Sequence, residues 1–200
     1  MKIGFKILLI GVITTIFRII EQLLIPPGSQ NVLLPSIFVG NGTMPLVFSI
    51  YGVFAYSFIA LMFLLIRNQL SGNKIMQGVK YGISCCLIWI VYLLEPLPHV
   101  AALDRITYPV ADGLALVVMG VLLGFFLGQD KPFVKNNICR YNIIPLVSIT
   151  ICFVLGRLIQ YSVFHIYSSF SSKKIETILW CVLTGVIIAC VLIWLNRYIK

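Results

Sequence analysis

GFKILLIGVITTIFRIIEQLLIP, Gly4 to Pro26, decides the fold. It is an apolar run of membrane length with two ionisable groups, Arg18 and Glu21, in its second half. A hydrocarbon core about 30 Å thick takes about 20 helical residues to cross. The run meets that length, follows Lys2, contains Lys6 and lacks a small-residue cleavage site. It therefore reads as a retained first span, Phe5–Ile25, and not as a removable signal peptide.

The rest of the chain repeats the pattern. Further apolar runs cover Met44–Ile66, Ile75–Glu95, Tyr108–Gly128, Ile143–Ile166 and Thr177–Tyr198. The chain is 60% hydrophobic and 10% charged, with mean hydropathy +1.03, whereas a soluble domain carries about 25% charged residues. The runs are continuous and do not alternate, which favours helices over a barrel. The expectation is an all-α integral membrane protein, one domain over residues 1–200, crossing the membrane six times.

Charge sets the expected orientation. Lys2, Lys6, Arg67, Lys74, Lys80, Lys131, Lys135, Arg140, Arg197 and Lys200 fall on one side of such a bundle. Arg105, Lys173 and Lys174 fall on the other. The positive-inside rule places the first group, and both termini, in the cytoplasm of a multi-pass plasma-membrane protein. The net charge of +9 is then a topology signal and a contact for anionic lipid headgroups, not a nucleic-acid footprint. The cysteines, Cys85, Cys86, Cys139, Cys152, Cys181 and Cys190, have no disulfide or metal spacing. No metal or other cofactor is expected.

Two external connections carry the unusual chemistry. Pro26–Thr43 is uncharged, with an apolar patch from Val32 to Val39 broken by Pro35; it suits a segment that lies on the membrane or folds over the bundle as a lid. In EPLPHVAALDRITYP, Glu95, His99, Asp104 and Arg105 stand close together.

Helical spacing sorts the polar residues into faces. Gly11, Thr14, Thr15, Arg18, Glu21 and Gln22 form a stripe in the first span, and Thr150, Arg157, Tyr161 and His165 one in the fifth, with Gln160 beside them. Tyr81, Ser84, Tyr92 and Glu95 share a face of the third. Asp112 stands eight residues before Gly120 and reads as pointing inward along the strip Gly120, Gly124, Gly128 of MGVLLGFFLG. At 1.5 Å per residue Arg18 lies about 20 Å and Arg157 about 21 Å from the cytoplasmic face, with Asp112 about 6 Å below the outer one. The embedded ionisable groups all fall in the outer half. Each costs about 2.5–3.5 kcal/mol near mid-span, and pairing repays this incompletely.

A polar pocket open to the outside accounts for them, with Arg18, Glu21, Gln22, Tyr92, Glu95, Asp112, Arg157, Gln160 and Tyr161 as its ligand-binding residues. Forked arginine donors suit a small anionic or zwitterionic solute. No serine-nucleophile turn, zinc helix or phosphate loop is present, so binding is favoured over catalysis. In layout the chain resembles the membrane-embedded substrate-binding subunits of energy-coupling-factor transporters. That resemblance implies a solute near the outer face, a first external loop acting as a lid, and coupling subunits as partners; the first span lacks their alanine-x-x-x-alanine docking pattern. Two alternatives stand beside a solute-binding or transport protein. One is an intramembrane enzyme acting on lipid or peptide through Glu21, Asp112, Glu95 or His99. The other is an accessory or assembly factor that grips another membrane protein with the glycine strip, since glycines four apart admit a neighbouring helix.

Overall fold

The computed structural model describes residues 2–25, 37–97, 103–133 and 143–199. They form helices α1 (Ile3–Leu24), α2 (Ile37–Gly40), α3 (Met44–Ile66), α4 (Lys74–Leu93), α5 (Asp104–Leu127), α6 (Ile143–Ser162) and α7 (Lys174–Asn196), with no strand among them. All but α2 are long and apolar enough to cross a membrane. The protein is thus a helical multi-pass membrane bundle. Of the first external connection, only its last part lies within the described residues: α2 is a single exposed turn leading into α3. His99, Cys139, Lys135 and Arg140 lie outside them.

Local chemistry sets several boundaries. The Asn73 side chain caps α4 by accepting from the Met76 amide at 2.8 Å, and Pro45 occupies the first turn of α3, where no amide is needed. Helix α5 begins at Asp104, earlier than the apolar run alone suggests, so Pro109 lies inside it. Helix α6 stops at Ser162 although the apolar run continues. His165 therefore leaves the stripe expected of it: it is exposed, beyond the helix, at φ 48°.

The helices pack as a row. Helix α1 lies against α3 and α5, α5 against α4, α4 against α7, and α7 against α6; α3 also touches α5. Helix α6 is at one edge, and Arg157 and Tyr161 are its buried residues. Small residues set the closest approaches. A Cβ on Gly82 would lie 2.8 Å from Gly120 Cα, and one on Gly120 would lie 2.6 Å from the Gly78 carbonyl. The backbones of α4 and α5 are in contact, and the strip Gly120–Gly124 is filled from within the chain. Gly128 abuts Lys74 in the same seam. This corrects the assembly-factor alternative as framed, because the strip leaves no free face for a second protein. Helices α1 and α3 meet likewise, where a Cβ on Gly11 would sit 2.8 Å from the Val53 carbonyl and one on Gly52 would sit 2.9 Å from Thr15.

One end of the row is closed by polar contacts. Gln77, fully buried, donates to the carbonyls of Leu70 at 2.8 Å and Gly72 at 3.2 Å, and accepts from the Gln129 amide at 3.2 Å. The sequence places Lys80 among the basic residues of the cytoplasmic side. It lies in the second turn of α4, buried, donating to the Ser71 carbonyl at 3.0 Å with its ammonium 3.7 Å from the Tyr198 ring centre. Lys6 donates to the Phe126 carbonyl at 2.8 Å and Arg67 to that of Leu127 at 3.1 Å. The start of α1, the α3–α4 turn and the ends of α5 and α7 therefore share this basic end. Leu70 in the seal and, below it, Phe63, Ile10, Met119 and Leu123 form the driest part of the core.

Candidate functional site

The embedded charges gather toward the opposite end, in two centres. In the first, the Nε of Arg18 on α1 donates to Oδ1 of Asp112 on α5. The Nη1 donates to Gln22 Oε1 at 3.2 Å, one turn along α1. Trp89 of α4 donates its indole N–H to Asp112 Oδ2 at 3.1 Å. Arg18 is 4% exposed, and Asp112 joins three helices through one carboxylate. Asp112 does not follow the glycine strip. Eight residues along a helix rotate a side chain by about 80°, which turns Asp112 toward α1 while Gly120 faces α4.

This pair borders open space. A cavity of about 90 Å³ is walled by Thr15, Arg18, Gly52, Tyr56, Trp89 and Asp112, among others. A cleft of about 340 Å³ is lined by Arg18, Gln22, Asp104, Arg105, Tyr108 and Asp112, among others. A third space of about 460 Å³ lies between Ile19, Leu23, Met44, Pro45 and Phe48. Phe48 lines all three, and Gln22 and Tyr108 line both larger ones. The three are neighbouring compartments at the junction of α1, α3 and α5.

The second centre is closed. Arg157 of α6 donates from Nη2 to Glu95 and to the Tyr161 hydroxyl at 2.9 Å. Its Nε donates to Tyr161 at 3.1 Å, and its Nη1 to Gln160 at 2.7 Å and Tyr92 at 3.3 Å. Guanidinium has five N–H donors, and these five bonds use them all. Tyr161 in turn donates to Glu95 at 2.5 Å. The ring of Trp180 on α7 lies 5.2 Å from the guanidinium carbon, while its N–H donates to the Val91 carbonyl at 2.9 Å. A saturated, aromatic-walled arginine that is 6% exposed fastens α6 to α4 and α7.

The single pocket expected from the sequence is therefore divided. Arg18, Gln22 and Asp112 come together, and Tyr92, Glu95, Arg157, Gln160 and Tyr161 come together elsewhere. The Trp89–Tyr92 ring contact, at 6.3 Å between centres, bridges the two groups. The division arises because α6 packs chiefly on α7, away from the junction of α1 and α5. Glu21 belongs to neither ion pair: it has no salt-bridge partner among the described residues, and its Oε2 is buried without a hydrogen bond there. Tyr81 donates to the Ile59 carbonyl of α3 at 2.8 Å and takes no part.

Several contributors are easy to miss in the sequence. Trp89, Tyr92 and Glu95 recur every three residues, a helical-face signal. Gly78 and Gly82 repeat the spacing of the strip they face. Trp180 carries no such signal. The described residues hold no cluster of three or more His, Cys, Asp or Glu fit for a metal. No protein-family model, no curated protein and no solved structure matches the chain.

Proposed function

We propose that this chain binds a small anionic or zwitterionic solute in the cleft between α1, α3 and α5, as a solute-binding or transport protein of the cell membrane. One observation carries the reading. Arg18 and Asp112, costly charges in a spanning helix, border cavities of about 90 and 340 Å³, while Arg157 spends every donor inside the chain. The basic end faces the cytoplasm by the positive-inside rule, so the cleft opens outward. Gln77 and Lys80 seal the way through at the basic end, as suits a site with access from one side at a time. Arg18 and Gln22 offer donors to the solute, Asp112 takes its cationic part, and Trp89 holds Asp112 in place.

The test is a thermal-shift screen of small metabolites on purified protein, run in parallel on Arg18→Ala. A ligand at 100 times its Kd adds about 2.7 kcal/mol to stability, a readable rise in Tm. The expected outcome is a solute that stabilises the wild type and leaves Arg18→Ala unmoved. An equal rise in both proteins refutes the assignment.

A further inference from the structure

We infer that the solute is an amphiphile, with a zwitterionic head at Arg18, Asp104, Arg105 and Asp112 and a hydrocarbon tail in the gap between α1 and α3. This rests on the solute-binding reading of the same cleft.

The gap follows from the sequence of the two helices. They touch where small residues face each other, Gly11 against Val53 and Gly52 against Thr15. A turn or two beyond, the facing residues are Ile19 and Leu23 on α1 and Phe48 and Met44 on α3. There the helices stand apart around the space of about 460 Å³. Its wall is apolar except for Gln22, Ser49 and Tyr108. Leu23 is 80% exposed and Met44 42%, so among the described residues the gap is open on that flank. A tail reaches it sideways from the bilayer.

The charges choose the head. The charged cleft shares Gln22, Phe48 and Tyr108 with the apolar gap, so head and tail sites are continuous. Its charged lining is Arg18, Arg105, Asp104 and Asp112, which sums to zero. Arg18 and Asp112 pair with each other, while Asp104 and Arg105 have no ion-pair partner among the described residues. A head bearing one charge of each sign complements both of those residues. A purely anionic head leaves a carboxylate facing it, and like charges at close range repel.

The experiment compares glycerophosphoethanolamine, which is a head alone, with its single-chain octanoyl ester and the matching octanoyl phosphatidylglycerol analogue. Binding to protein held in amphipol is measured by calorimetry below the micelle threshold. Each buried methylene is worth about fourfold in affinity, so the octanoyl zwitterion should bind at least about tenfold tighter than the bare head. Ser49→Phe, which fills the gap, should erase that gain and leave the head's affinity unchanged. Leu23→Trp, at an exposed position, serves as a second block should Ser49→Phe fold poorly. Equal affinity of head and ester, or a gain that survives both blocks, overturns the tail site, and preference for the phosphatidylglycerol analogue overturns the zwitterionic head. Any of these leaves the cleft's role intact if a solute still requires Arg18. If no probe binds and no metabolite gives an Arg18-dependent shift, both readings fall.

Discussion

Trp89 and Arg18 hold the same carboxylate from opposite sides: the indole donates to Asp112 Oδ2 and the guanidinium to Oδ1. The tryptophan is thereby a built-in reporter of the cleft. With Trp180 and Trp194 replaced by phenylalanine, Asp112→Ala should move Trp89 emission to longer wavelength as water replaces the carboxylate. An unchanged spectrum would show that the indole does not sense this carboxylate.

Arg157→Ala removes the only ion-pair partner of Glu95 among the described residues and leaves that largely covered acid unpaired. Breaking a buried pair from one side costs about 3–5 kcal/mol. The double change Arg157→Leu with Glu95→Leu should recover most of the loss, since an apolar replacement of a buried pair is often neutral. Unfolding in graded denaturing detergent distinguishes the two. A single variant as stable as wild type would contradict the closed centre.

Close helix contact makes glycine position-dependent. Gly82→Leu drives a side chain into the α5 backbone and should cost at least about 1–3 kcal/mol. A Cβ on Gly156 of α6 would meet nothing within 4 Å, so Gly156→Ala should be neutral or stabilise by up to about 1 kcal/mol through helix propensity. Thermal unfolding of both variants tests the pair of outcomes together.

Lys80→Met keeps most of the side-chain volume but removes the ammonium from the Tyr198 ring and from the Ser71 carbonyl. A desolvated cation–π contact is worth up to about 2 kcal/mol. The expected result is a lower Tm with faster protease cleavage near the end of α7. An unaltered cleavage rate would argue that Lys80 does not hold that end.

The spans were legible because lipid leaves the backbone few choices, and α3 matches its apolar run at both ends. The end of α6 was not, because Val163, Phe164 and Ile166 remain apolar after the helix stops. The α1 stripe was readable from local spacing, and Gly11, Thr14, Thr15 and Arg18 are indeed on its buried side. The partners were not: Arg18 meets Asp112 across 94 residues and Arg157 meets Glu95 across 62. Which acid answers which arginine depends on helix order in the row, and spacing within one helix carries no information about that. The same limit hid the role of Gly78 and Gly82, whose pattern is plain once α4 and α5 are known neighbours.

Those separations also bear on how the chain is made. A ribosome adds about 5–20 residues per second, so Glu95 emerges several seconds before Arg157, and Arg18 longer still before Asp112. Each early charge must wait at the insertion machinery or in the headgroup layer until its counterpart arrives. Translation speed between the members of each pair is therefore a variable to which the yield of inserted protein should respond.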